Sequence, residues 1–491
     1  MMRILRPVSC MLLVVACGDG NKLTPDAAVV DAAADAPDND IDAAVDAPPD
    51  APPPGAASRV WAVGDWLTDN RREAGAFASD ATLPFSTATP PPIVVPGGAV
   101  PELFDGTGAT ANVFDARGTK IAFVADLTVD DRFDLYVANA DGTSPTLLVT
   151  GQTGIEITSV ALSPDGSKVG FLMDGPVDNG FDLHVVATAG GAPVKLSPDR
   201  PVGSLNQDLQ DVFFQFEWSA DSKFIAFSAD LTENGFDQGY VVDTTAATPV
   251  AVELLTRAEI ATQATGAQGI RGRLPLDSAN NIYFRARITA GSSQFVLFKS
   301  DPAGVKTQVA LPARGDASAP DIGAFGITPD GTKLVFSADA PTLGTFNLFQ
   351  QAVTNPQAAV NLTNLASQAP VIIRADFTTP LFFSPDSTKV ATVSNFSATV
   401  AAPTRMEPHV VNLDASGTRR LFTVAAACGA CDTEALAWTS DGATLFMTGD
   451  VLTNNETRVF RLDPAMTDQT PAAATDVPTG GDVLNLFVIA P

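Results

Sequence analysis

The stretch Ser163-Pro164-Asp165-Gly166-Ser167-Lys168-Val169-Gly170-Phe171-Leu172-Met173-Asp174 holds the unit from which the fold is read. Asp-Gly flanked by short apolar runs is a strong hairpin signal, because glycine accepts positive φ without strain. Close copies are Thr328-Pro329-Asp330-Gly331 running to Asp339 and Ser384-Pro385-Asp386-Ser387 running to Ala391. Looser copies are Asp115-Ala116-Arg117-Gly118 running to Phe123, Ser219-Ala220-Asp221-Ser222 running to Phe227, and Thr439-Ser440-Asp441-Gly442 running to Met447. A degraded copy runs from Asp277 through Asn280 and Asn281 to Phe284.

Aligned strand ends fall at Asp65, Asp126, Asp174, Asp230, Arg287, Asp339, Asn395 and Asp450, in steps of 61, 48, 56, 57, 52, 56 and 55 residues. A near-constant period of this size, with several short strands per unit and no helical periodicity, predicts an all-β propeller of four-stranded blades. The alignment gives eight units, and seven is the alternative. The first unit opens on Arg59-Val60-Trp61-Ala62-Val63-Gly64-Asp65 without a preceding strand, and the last residues, Val483 to Pro491, read as that missing strand. The C-terminal strand is therefore expected to pair into the first blade and close the ring, which removes an open edge.

The turns resemble the repeats of TolB-type, WD-like β-propeller proteins, in which a Ser-Pro-Asp-Gly turn precedes one strand and a Phe-Asp-Leu-Tyr-like strand follows. The second element stands here as Phe133-Asp134-Leu135-Tyr136-Val137, Phe181-Asp182-Leu183-His184-Val185 and Phe346-Asn347-Leu348-Phe349. The resemblance covers nearly all of residues 59–491 and implies the propeller fold. It implies little about activity, because the α/β domain that precedes the propeller in TolB has no counterpart in this sequence.

What precedes the repeats has a different composition. Arg3 and Arg6 lead an apolar run, too short to span a bilayer, that ends at Val14-Val15-Ala16-Cys17-Gly18 and reads as a secretory signal over residues 1–16. Small residues ahead of that cysteine resemble the lipobox of bacterial lipoproteins, which implies cleavage before Cys17 and acylation of its sulfur. Each buried acyl methylene contributes about 0.8 kcal/mol, so several chains on one residue make a lasting anchor. Gly18 in the next position implies, by resemblance to enterobacterial sorting, the outer membrane. Residues 17–58 are rich in Asp, Ala and Pro and carry no aromatic residue, so they read as an extended, disordered stalk.

The whole chain of 491 residues carries 29 basic and 56 acidic side chains, a net charge of -27. A nucleic-acid partner is excluded on this balance, since phosphate binding needs an excess of Lys and Arg. Contact with the membrane is expected only through the lipid anchor, and the protein is expected to be a monomer.

Candidate chemistry is sparse. Cys428-Gly429-Ala430-Cys431 reads as a local disulfide in an oxidising envelope compartment, the alternative being a redox pair. Acids cluster in three successive units, as Asp126, Asp130, Asp131 and Asp134, then Asp174, Asp178 and Asp182, then Asp230, Glu233 and Asp237. Turn capping is the first reading, and calcium is the alternative cofactor because that ion takes six to eight oxygens. The two histidines, His184 and His409, lie in strand-like segments, which excludes a zinc site of several histidines. No catalytic motif appears. Arg257, Arg271, Arg273, Arg285 and Arg287 break the acidic pattern within one unit. Arg271 and Arg273, two apart in a segment read as the innermost strand, share a face on an extended chain and are candidates to hold a carboxylate or phosphate. The alternative is pairing with a neighbouring acid such as Glu217. The function expected is a non-enzymatic binding platform for a protein or envelope polymer, the alternative being a carbohydrate- or peptide-active hydrolase or lyase at the channel mouth.

Overall fold

The computed structural model describes residues 14–16, 59–64, 73–78, 103, 113–127, 132–151, 157–174, 181–199, 216–229, 237–256, 259, 269–270, 272–287, 294–354, 356–364, 381–394, 407–422, 433–449, 457–469, 472–473 and 483–490. Every regular element of four or more residues among the described residues is a β-strand, and all the sheets but the one that joins the two ends of the chain are antiparallel and made of consecutive segments, as a propeller requires. The sheet of Ile157–Leu162, Lys168–Asp174, Phe181–Ala187 and Val194–Lys195 is representative. Its first two strands meet at the Ser163 turn, where Gly166 takes φ 67° and its amide donates to the Ser163 carbonyl at 2.8 Å.

The same turn recurs at matching places. Gly331 has φ 68° and Gly442 φ 66°, while Ser222, Asn280 and Ser387 hold φ 60°, 62° and 56°. The turn aspartates explain the motif: Asp165 Oδ1 accepts from the Ser163 hydroxyl at 2.6 Å and from the Ser167 amide at 2.9 Å. Asp221, Asp330, Asp386 and Asp441 accept from their own turn hydroxyls in the same way. A short side-chain acceptor at this position satisfies turn donors that the ladder cannot reach.

Packing repeats with equal regularity. Directly opposite residues on the second and third strands form ring pairs in five successive units: Phe123 with Tyr136, Phe171 with His184, Phe227 with Tyr240, Phe284 with Phe298, and Phe336 with Phe349, at centroid separations of 5.7, 5.5, 5.3, 5.5 and 5.7 Å. Cross-strand aromatic pairs of this kind stabilise a sheet and fix its register. Tryptophans tie sheet to sheet: the partly buried Trp218 donates through Nε1 to the Ala161 carbonyl at 3.1 Å, and the buried Trp438 through Nε1 to the Phe382 carbonyl at 2.9 Å.

The C-terminal strand Val483–Ala490 lies antiparallel to Arg59–Gly64, which in turn pairs with Glu73–Ala78. Val14–Ala16, within the segment read as the signal, lies parallel to the other edge of that strand.

Blade number departs from expectation. Among the described residues seven sheets have four strands, one of them by counting Val14–Ala16, where the repeat predicts eight four-stranded blades. The unit with the degraded turn has three, Ile282–Ala286, Val296–Ser300 and Lys306–Gln308. Among the described residues its innermost segment makes the isolated bridges Ile270 to Ala286 and Leu276 to Ile282. The reason is local: Gly272 sits at φ 88°, and Pro275 has no amide hydrogen to give to a ladder.

A second correction concerns the loosest copy. Asp115 and Arg117 belong to the strand Phe114–Arg117, which turns into Lys120–Ala125 through Gly118, at φ 59°, and Thr119. Aligning Asp115 with Ser163 therefore placed in a turn two side chains that stand on a strand.

Candidate functional site

First strands of adjacent sheets lie against one another, as Phe114–Arg117 does with Ile157–Leu162, and Val483–Ala490 with both Thr433–Trp438 and Phe114–Arg117. They make up the inner wall, and charged side chains from several units meet there. Asp115 is buried and receives the amides of Ala116 at 2.9 Å and Leu162 at 2.7 Å. Burial pushes its carboxyl above the ordinary range, against the pull of Arg117 and of those amides. Arg117 is pushed down by the same burial, while Asp115 and Glu217 act in the opposite sense. Its Nε has no hydrogen-bond partner.

Arg273 donates through Nε to Glu217, the neighbouring unit's acid. Burial pulls the Arg273 pKa down, but the Glu217 carboxylate outweighs this and holds it above its usual value. Arg271 lies outside the described residues. The argument that residues 271 and 273 share a face requires an extended chain between them, and Gly272 at φ 88° is not extended. Cys17, Cys428, Cys431 and Arg257 also lie outside the described residues.

Of the acids in the recurring loops, Asp130, Asp131, Asp178, Asp230 and Glu233 lie outside the described residues. Of those within them, Asp134 and Asp182 serve the fold. Asp134, fully buried, accepts from Arg132 Nη2 at 2.8 Å, Tyr136 Oη at 3.1 Å and the Gly151 amide at 2.8 Å. Burial alone would raise its pKa, but these donors, led by Arg132, hold it below the ordinary value. Asp182 accepts from Ser197 Oγ at 3.0 Å and pairs with Lys195 at 3.1 Å. Asp126, Asp174 and Asp237 stand at the strand ends, with Asp174 and Asp237 buried. Among the described residues no three His, Cys, Asp or Glu side chains gather as a metal-holding group.

Both histidines are strand side chains. His184 stacks on Phe171 and has its pKa lowered by burial. His409, 1% exposed, donates from Nδ1 to the Glu407 carbonyl at 2.9 Å and has Ser394 Oγ at 3.0 Å. Burial brings its pKa to about 4, so it is neutral at pH 7. This Ser-His contact is closed to substrate, because Ser394 is fully buried.

Asp115 and Arg117 escaped the sequence reading because only their place on an inner strand brings them toward Glu217. The signal available was weak: two charges flanking one alanine in the least regular turn.

No protein family and no curated protein matches the chain. Among solved structures it is similar to a prolyl endopeptidase, at 13% identity and a TM-score of 0.49, over 75% of this chain and 50% of that one. The chain thus spans about half the length of that enzyme. It is also similar to an oligogalacturonate lyase in complex with manganese, at 13% identity and a TM-score of 0.43, over 70% of this chain and 86% of that one. A third likeness, at 11% identity and a TM-score of 0.43, covers 75% of this chain and 99% of the β-propeller domain of the Trilobed protease from Pyrococcus furiosus, which has an open velcro topology. At these identities the likeness concerns the propeller fold alone.

Proposed function

We propose that the chain is a TolB-like, lipid-anchored protein of the bacterial envelope whose propeller, residues 59–491, is a non-enzymatic binding platform for a protein or envelope polymer. Cys17 carries the anchor at the outer membrane, and residues 17–58 form the stalk. The antiparallel pairing of Val483–Ala490 with Arg59–Gly64 supports a ring closed by the two ends of the propeller.

The observation that carries this reading is the use of charge on the inner wall. Asp115 is held by two backbone amides and Glu217 by Arg273, so neither carboxylate is left as one of a free, facing pair. Acid–base catalysis on a glycosidic bond calls for such a pair. A rigid ring with variable loops suits recognition instead.

Capture from envelope extract with the purified full chain tests the platform. A partner retained by the wild type and lost by the Arg271→Ala, Arg273→Ala double variant, with an unchanged unfolding midpoint, places recognition at the channel mouth; retention by both moves it to the loops. Cleavage of an envelope polysaccharide or peptide by the wild type overturns the non-enzymatic reading in favour of a hydrolase or lyase. A Cys17→Ser variant is expected in the soluble fraction, and its persistence in membranes would overturn the anchor.

A further inference from the structure

Arg287 occupies the strand-end position that is acidic in most other units, and it carries a charge the fold does not use. Asp339, the equivalent residue of the next unit, accepts from the Asp321 amide at 2.7 Å and from the Gly344 amide at 3.3 Å, so the acid there ties backbone to backbone. Arg287 does nothing comparable. Its guanidinium carbon lies 4.8 Å from the centroid of the Phe295 ring. Its Nε is buried without a partner, and among the described residues no carboxylate pairs with it.

Its neighbour explains why it stays free. Arg285, 2% exposed, also stands over Phe295 at 5.0 Å, and it donates through Nη1 to the carbonyls of Ile322 and Gly323 at 3.0 and 2.7 Å. The structural task for a cation between these two units is thus already filled. Asp321 interacts electrostatically with Arg285, and its Oδ1 accepts from the Phe295 amide at 2.9 Å and the Ile322 amide at 3.0 Å.

We propose that Arg287, backed by Phe295 and Arg285, is an anion-recognition site that takes a carboxylate group of a ligand at the face opposite the Asp-Gly turns. Leaving a cation unpaired in a chain of net charge -27 is a departure from its own electrostatics, and repeat symmetry supplies an acid at this position in the units on either side of the arginine-rich one. A planar guanidinium fork matches a carboxylate with two parallel donors, and the cation–π contact with Phe295 helps hold the guanidinium in place before any ligand arrives. A single free guanidinium balances one negative charge, which favours a carboxylate over a phosphate dianion. The site is separate from Arg273, whose guanidinium is committed to Glu217, so failure here leaves the platform reading untouched.

Arginine-selective modification of the full chain by phenylglyoxal, read by mass spectrometry, tests the site. Arg287 is expected to react, and acetate is expected to slow its modification severalfold relative to chloride at equal ionic strength, while Arg285 stays unreactive in both. Equal rates in acetate and chloride overturn the proposal, and so does protection by inorganic phosphate alone. An Arg287→Gln variant is expected to keep the wild-type unfolding midpoint; a large fall would make the residue structural and overturn the site as well.

Discussion

The unit of residues 157–195 and the unit of residues 270–308 share one central hairpin and join their neighbours by different chemistry. Both place a ring pair across the second and third strands, Phe171 with His184 in one and Phe284 with Phe298 in the other. The regular unit adds a complete inner strand, Ile157–Leu162, and meets the next unit through neutral groups and one cation, the Lys168 ammonium, which donates to Thr244 Oγ1 at 2.9 Å. The Asp165 amide donates to Ser222 Oγ at 2.9 Å, and Trp218 reaches the Ala161 carbonyl. The arginine-rich unit lacks the inner strand and uses guanidinium groups instead. Arg273 goes to Glu217 on one side, and Arg285 goes to Ile322 and Gly323 on the other. Those two carbonyls lie where the ladder between Ile322–Ile327 and Lys333–Ala338 shifts register. Buried carbonyls that lose ladder partners must be satisfied by something, and a buried Arg with several donors does so. The difference teaches that backbone acceptors freed by a register shift in one unit can be satisfied by a buried cation from the unit before it.

The most damaging way to test this comparison is to remove that cation. Arg285→Met keeps much of the apolar stem but leaves the Ile322 and Gly323 carbonyls without their charged donor. Two charge-assisted hydrogen bonds are lost, and a destabilisation of about 3 kcal/mol is expected by chemical denaturation. A cost below about 1 kcal/mol would break the idea that the guanidinium satisfies the carbonyls freed by the register shift.

Acid separates the two regions by a smaller, distributed effect. Burial raises the pKa of Asp165, Asp221, Asp330 and Asp386, but the hydroxyl and amide donors of each turn outweigh it and leave all four below the ordinary 3.8. A carboxyl whose folded pKa is depressed contributes stability that is present above its unfolded pKa and lost as the pH falls through the folded value. The contribution of these turns to stability is therefore expected to be constant above about pH 5 and to decline below about pH 4, while Asp115 and Asp321, whose pKa burial raises, act in the opposite sense. Hydrogen exchange should report the first acid-induced opening at the Asp-bearing turns rather than around Arg285. Turns that become more protected on acidification would contradict the sign of these shifts.

The smallest effect concerns the turn residues that are not glycine. Ser222 holds φ 60° and places its hydroxyl on Asp165 of the preceding unit, and Ser387, at φ 56°, does the same for the Asp330 amide at 3.0 Å. Ser222→Ala keeps the strained φ and loses the bond, with an expected cost of about 1 kcal/mol. Ser222→Gly loses the bond but removes the strain, so it should stay within about 0.5 kcal/mol of the wild type. Equal costs for the two would show that the hydroxyl does not latch one unit to the next.

Much of the fold was legible because the repeat writes its own turns. Ser163, Asp165 and Gly166 name a hairpin whose donors, acceptors and φ can be assigned from residue type, and the copies at Thr328 and Ser384 repeat the assignment. The strand at Asp277 to Phe284 was also legible, although its inner partner was not. Nothing in the residue types of Ile270 to Leu276 says that Gly272 takes positive φ or that the chain bridges the sheet at only two points. The site was less legible still. Glu217 was a natural partner for Arg273, but Asp115 and Arg117 were read into a turn, and the contrast between Arg285 and Arg287 is invisible in a sequence where both are exposed-looking basic residues on a strand.

By itself the sequence determined a repeated, turn-punctuated β architecture and an acidic surface, because turn geometry and strand alternation are local and each residue type carries its own backbone preference. Only the tertiary structure decided that the arginine-rich unit has three strands, that Arg273 meets Glu217, and that Arg285 is spent on backbone carbonyls while Arg287 is not. Those outcomes depend on which groups from different units approach within hydrogen-bonding distance, and that is a property of how the sheets pack around the axis.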